Sequence, residues 1–277
     1  MLRDRLAIAI LLIPLALWMI ALGGVVYWLA VSLIFTLAAR EYGQLFRAAG
    51  QRPAGPLIVA GTLLLIAAQQ FPALNPSGLL FALAILAPMA WHLVDYERGA
   101  ETAGSDFVIS LAGIFYLGWL GGYFISLRAL PDGEWWLLTA LCGIWLADTA
   151  AYSIGRVWGR HQMSPRLSPK KTWEGFAGSL AGGAAGAGLL AVFWSSGAGA
   201  GSLLTWQTGA ALGFLTGLLG PLGDLGVSML KRQMGVKDSG ALLAGHGGAL
   251  DRMDSWLVAV PVGYYFVLAL QFLSRSR

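Results

Sequence analysis

A chain of 277 residues that is 57% hydrophobic and only 12% charged, with a mean hydropathy of +0.68, stands far from the roughly 25% charged content of soluble domains. That composition excludes a water-soluble globular protein, and the formal charge of +4, from 18 Lys and Arg against 14 Asp and Glu, is informative mainly about membrane topology. The single cysteine, Cys142, rules out an intrachain disulfide and a cysteine-based metal site.

Apolar runs near the roughly 20 residues that cross hydrocarbon as helix lie at 6–21, 23–39, 55–71, 76–92, 105–127, 134–154, 174–194, 204–224 and 255–273. They predict an all-α, polytopic membrane protein with about nine transmembrane helices. Arg3 and Arg5 precede the first run as in a signal peptide, but a second run follows almost at once and no convincing Ala-x-Ala site separates them. The two runs therefore read as a retained hairpin. Residues 1–130 are expected to form a lipid-embedded scaffold, and residues 131–277 a catalytic region carrying two polar loops, 156–174 and 225–254. The Gly/Ala-rich run 175–191 reads as a close-packing helix, since small residues let backbones approach in lipid.

Basic residues set the orientation, because short loops rich in Lys and Arg stay cytoplasmic. With the N-terminus inside and nine alternating spans, 15 of the 18 Lys and Arg residues fall inside, leaving Arg128, Arg275 and Arg277 outside. Both polar loops then face the cytoplasm, within reach of a water-soluble substrate. The acidic loop 95–106 reads as a solvated connector.

In the first loop, Pro165 and Pro169 disfavour continuous helix. Thr172 stands where it can cap the helix that follows. Lys170, Lys171 and the free amides of that helix start suit an anionic phosphate, although the same cations can also anchor the loop to anionic lipid heads.

The second loop begins as helix. Asp224, Ser228, Lys231 and Arg232 share one polar stripe about 100° wide at 100° per residue, while Leu230 points away. Asp148, Tyr152 and Arg156 repeat a similar spacing at the end of the sixth span. Gly235, Gly240, Gly245, Gly247 and Gly248 then interrupt the helix and free the backbone to approach a ligand. Asp251 and Asp254, three residues apart, share a face of the helix leading into the last span. Three carboxylates flanked by Lys and Arg offer the hard oxygen donors that Mg²⁺ selects beside phosphate. Charge of this density beside a bilayer marks a functional site by default. His246, set among glycines, reads as a phosphate donor, a loop pin or a metal ligand; no histidine is paired at zinc-ligand spacing, and no Walker-type phosphate loop occurs.

Ser228-x-Leu230-Lys231-Arg232, Lys237-Asp238-x-Gly240 and Gly245-His246-Gly247-Gly248-x-Leu250-Asp251-Arg252-Met253-Asp254 together resemble the signature of the CDP-diacylglycerol synthase (phosphatidate cytidylyltransferase) family. Asp148-Thr149-x-Ala151-Tyr152 and Ser168-Pro169-x-Lys171-Thr172-Trp173-Glu174-Gly175 are similar to it as well, so the resemblance covers the C-terminal half. Ala244, Ala249 and Val227 depart from the family pattern, which usually has Glu at the last position.

The resemblance implies transfer of CMP from CTP to phosphatidate, with release of pyrophosphate, at the cytoplasmic side of a bacterial-type inner membrane. It implies Asp224 and Asp251 as catalytic residues holding Mg²⁺, joined by Asp254, with a second, monovalent cation such as K⁺ compatible with the site. Lys231, Arg232 and Arg252 are expected on substrate phosphates, Lys171 and Thr172 on the CTP triphosphate, and Ser228 beside the metal. Ser168, Lys237 and His246 complete the substrate-binding set. Membrane lipid is an expected partner, nucleic acid is not, and a homodimer stays open. Two alternatives remain: a kinase using CTP to phosphorylate a lipid alcohol, and a transporter, whose charges should lie near mid-membrane.

Overall fold

A computed structural model describes residues 13–74, 78–240 and 248–276. The helices are α1 (Ile13–Leu22), α2 (Gly24–Ala48), α3 (Gly55–Gln70), α4 (Leu79–Glu97), α5 (Ala103–Gly113), α6 (Leu120–Arg128), α7 (Gly133–Trp158), α8 (Trp173–Ser195), α9 (Trp206–Gln233), α10 (Ala249–Met253) and α11 (Trp256–Arg275). A π-helical segment, Ile114–Trp119, joins α5 to α6, so that Ala103–Arg128 forms a single span. Among the described residues seven spans are long and apolar enough to cross a membrane, while the described parts of α1 and α3 are shorter. Each of the nine apolar runs thus contains helix, in a polytopic all-α membrane protein. Large exposed side chains such as Leu33, Leu93, Phe193 and Phe272 are what a hydrocarbon solvent tolerates, because lipid exerts no pressure to bury them.

One departure from an all-helical reading is a small antiparallel hairpin, β1 (Gln162–Ser164) with β2 (Ser168–Thr172). Gln162 pairs with Thr172 and Ser164 with Ser168, with an irregularity between. Pro165 opens the turn at 165–167, where its missing N–H costs no ladder bond.

The chain divides into two compact units: Met1–Ile125 with Leu230–Met253, and Ser126–Met229 with Asp254–Arg277. The sequence boundary at 130 lies near the first division, but the segment 230–253 groups with the N-terminal helices. In that unit α2 packs on α3 and on α10, and α4 on α5. Leu65, Ala68, Leu80, Ala84 and Ile114 form a core flanked by Phe81, Phe115 and Trp119.

The other unit is built on α7, which packs along α8 and α11. Ile144, Ala147 and Ala259 are buried together against Trp256. The glycine-rich reading of 175–191 holds here. A Cβ at Gly213 of α9 would overlap the Gly183 carbonyl of α8, and one at Gly182 would overlap Ala150 of α7. Backbone contact of this kind supplies the dispersion that holds helices together in lipid.

Candidate active site

In the unit built on α7, local hydrogen bonds lock the hairpin to the head of α8. Thr172 caps that helix as its sequence predicts, its Oγ1 accepting from the Gly175 N–H at 3.1 Å. Glu174 Oε2 accepts the N–H groups of Arg160 (3.1 Å) and His161 (3.2 Å), and its Oε1 lies 2.5 Å from His161 Nδ1. The Trp173 N–H donates to the His161 carbonyl at 2.9 Å. With both ends of β2 held, Lys171 is presented at a fixed place, where it forms an ion pair with Asp224 of α9.

The path of α9 near Asp224 follows from two sequence features. Pro221 lacks an N–H, which leaves the Gly217 carbonyl without its helical partner. The Ser179 hydroxyl of α8 donates to that carbonyl at 2.9 Å, the repair expected of a proline inside a membrane helix. Two residues on, Gly223 has no side chain, and the Asp254 carbonyl occupies the space a Cβ would need. Asp224 is thus held between a repaired helix turn and the entry to α11. Ser228 Oγ lies one turn further, 3.4 Å from Asp224 Oδ1, and Asp148 of α7 lies within electrostatic reach of both Lys171 and Asp224.

In the other unit, Lys231 Nζ donates to Asp251 Oδ1 at 2.5 Å. Asp251 Oδ2 takes the Ser239 N–H (2.8 Å), the Ser239 hydroxyl (3.0 Å) and the Gly248 N–H (3.3 Å). The Ser239 hydroxyl also lies 3.1 Å from Glu41 Oε2, which accepts the Leu250 N–H at 2.9 Å. Glu41 belongs to α2 and is 4% exposed.

Ser168 begins β2 and is half-buried, while Arg232, Lys237 and Arg252 are exposed. The Asp254 carboxylate accepts the neighbouring Ser255 N–H at 2.6 Å. His246 lies outside the described residues. Val227, which the helical wheel sets beside the polar stripe, is fully buried, so its apolar side chain suits a position that water does not reach.

Sequence reasoning left two acids out of the site. Asp148 carried a signal, since its spacing to Tyr152 and Arg156 echoes that of Asp224, Ser228 and Arg232, and Arg156 donates to the Tyr152 hydroxyl at 3.4 Å. Glu41 carried a plainer one, being the only Asp or Glu between Asp4 and Asp95.

Among the described residues no group of three or more His, Cys, Asp or Glu side chains gathers as a metal site. Mg²⁺ does not need one, because it keeps several waters and takes one or two carboxylates plus substrate phosphates. Asp224 fits that role: its side chain is 34% exposed, and among the described residues it meets the Lys171 ammonium and the Ser228 hydroxyl. Asp251 is more fully engaged. A carboxylate offers about four acceptor positions, and four donor groups already meet it. Of those, the Lys231 ammonium on its flexible stem is the one that can give way.

Comparison with known proteins places the chain in a family. The profile of the cytidylyltransferase family matches residues 3–270. A phosphatidate cytidylyltransferase of Synechocystis sp. is 36% identical, covering 96% of this chain and 97% of the relative. One from Pseudomonas aeruginosa is 34% identical over 95% of each chain, and one from Mycobacterium bovis is 33% identical over 88% of this chain and 80% of its own.

Proposed function

The chain belongs to the cytidylyltransferase family, and from that premise we propose that it transfers CMP from CTP to phosphatidate, yielding CDP-diacylglycerol and pyrophosphate for phospholipid synthesis. A phosphate oxygen of phosphatidate forms the new bond to the α-phosphorus of CTP. The bond from that phosphorus to the α–β bridging oxygen breaks, and its electron pair leaves with pyrophosphate. Phosphomonoesters have a second pKa near 6, so the nucleophile is already largely dianionic at neutral pH and needs no strong base.

The protein's task is to align two anionic substrates and to neutralise the charge they crowd together. Lys171 and Thr172 serve the triphosphate in this reading, the lysine by charge and the threonine by the proton its capping oxygen still has to offer. Lys231, Arg232 and Arg252 hold phosphate oxygens, with Arg suited to bidentate contact. Ser168, Ser228, Lys237 and His246 supply further polar contacts. Asp224 and Asp251 would hold Mg²⁺, with Asp254 adjoining; the ion, when bound, polarises the α-phosphate and offsets its developing charge. The reaction side is the cytoplasmic face of a bacterial-type inner membrane, a reading supported by the basic-residue count.

The observation that carries this proposal is the Lys171–Asp224 ion pair. It joins two segments whose sequences separately suggested phosphate and metal chemistry. Purified protein supplied with Mg²⁺, phosphatidate and CTP labelled at the α-phosphate is expected to move label into lipid. Label entering lipid from the γ-phosphate would replace this reaction with a lipid-kinase reaction, and no transfer from either position would overturn the enzymatic reading.

A further inference from the structure

We propose that Glu41, on a helix otherwise read as scaffold, is a positioning residue for Asp251. This rests on the role given to Asp251 above. A carboxylate 4% exposed among transmembrane helices is costly unless it is hydrogen-bonded, and among the described residues the bonds Glu41 makes go to Ser239 and Leu250, the one a hydrogen-bond partner of Asp251 and the other its neighbour in sequence. Its Oε2 accepts the Leu250 N–H at 2.9 Å, one residue before Asp251, and meets the Ser239 hydroxyl at 3.1 Å. That hydroxyl lies 3.0 Å from Asp251 Oδ2. A single proton is thus shared between two carboxylates, one on α2 and one at the head of the segment leading into α11.

Two glycines of the signature are explained by the same carboxylate. A Cβ at Gly240 would stand 2.8 Å from Glu41 Oε1, and one at Gly248 would overlap both Glu41 Oε2 and the Ser239 hydroxyl. Only residues without side chains let the two ends of the loop close on Glu41. Oε1 of this buried side chain has no hydrogen-bond partner among the described residues. Simple packing does not call for an acid here. Leu250 is itself fully buried, so an apolar α2 would hold the loop by contact without fixing the direction of the Leu250 N–H.

The test compares E41A, E41Q and D251N in the full-length protein, reading CMP-transfer kinetics together with amide exchange at Ser239 and Leu250. E41A is expected to lower kcat at least tenfold while KM for CTP stays within twofold. It should also speed exchange of the Leu250 amide at least tenfold, leaving α11 unchanged. E41Q keeps a carbonyl acceptor for the Leu250 N–H and is expected to restore most of the loss in both readouts. If E41A does not accumulate as folded protein, E41D, shorter by one methylene, is expected to show the same pattern at three- to tenfold. Wild-type kcat and wild-type Leu250 exchange in E41A or E41D would overturn the proposal, as would an E41Q loss equal to that of E41A. The control separates the two readings. Full turnover in D251N removes the catalytic role of Asp251 and leaves Leu250 exchange to decide on Glu41, whereas an inactive D251N beside a fully active E41A removes only the positioning role.

Discussion

Two lysine–aspartate pairs occur among the signature residues, one in each compact unit, and they differ in almost everything except chemistry. The Lys171 and Asp224 side chains are 27% and 34% exposed; those of Lys231 and Asp251 are 13% each. Asp224 receives Lys171 and a long bond from Ser228, whereas Asp251 is surrounded by four donor groups. The first pair is open to exchange with a ligand. The second fixes the backbone at Ser239 and Gly248, because a part-buried carboxylate surrounded by donors holds whatever donates to it.

The sharpest way to break this contrast is to remove each acid in turn. D251N is expected to lose CMP transfer by roughly 10²–10³-fold and also to destabilise the protein by about 2 kcal/mol, because a largely covered lysine, 13% exposed, is left without its counter-ion. Pyrophosphate release and thermal denaturation in detergent check the two effects. D224N should lose a similar amount of activity with less than about 1 kcal/mol of stability, as a partly exposed ion pair is worth little to folding. Equal destabilisation by both substitutions would erase the distinction.

The lysines sharpen it further. K171M is expected to raise KM for CTP about tenfold, the value of one charge-assisted hydrogen bond, with stability unchanged. K231M should cost about 1–3 kcal/mol of stability, read as a lower midpoint of thermal denaturation. Smaller effects report on how Asp224 and Lys171 are held. S179A strands the Gly217 carbonyl beneath Pro221 and is expected to cost about 1 kcal/mol. T172A removes the cap of α8 at about 1 kcal/mol, with a modest rise in KM for CTP because Lys171 is the adjoining residue.

Much of this was legible in the chain itself. The apolar runs are local facts of composition, and each contains helix because a backbone in hydrocarbon has to satisfy its own hydrogen bonds. The Thr172 cap and the helix carrying Asp224 through Arg232 were readable for the same reason, since both depend on neighbours within one or two turns. The hairpin was not, because strands of three and five residues are too short to show a period of two. The prolines of that segment announced only that helix stops.

The sequence by itself determined a polytopic helical membrane protein and marked the segments where charge is concentrated beside lipid. Only the tertiary structure decided which acid meets which lysine, that Asp148 stands within reach of Lys171 and Asp224, and that Glu41 receives an N–H from 209 residues away. Hydrophobicity acts residue by residue and leaves a periodic trace, whereas ion pairing depends on how close two backbones come. That approach is set where glycines such as Gly213, Gly223 and Gly248 leave room, and its partners are recorded nowhere along the chain.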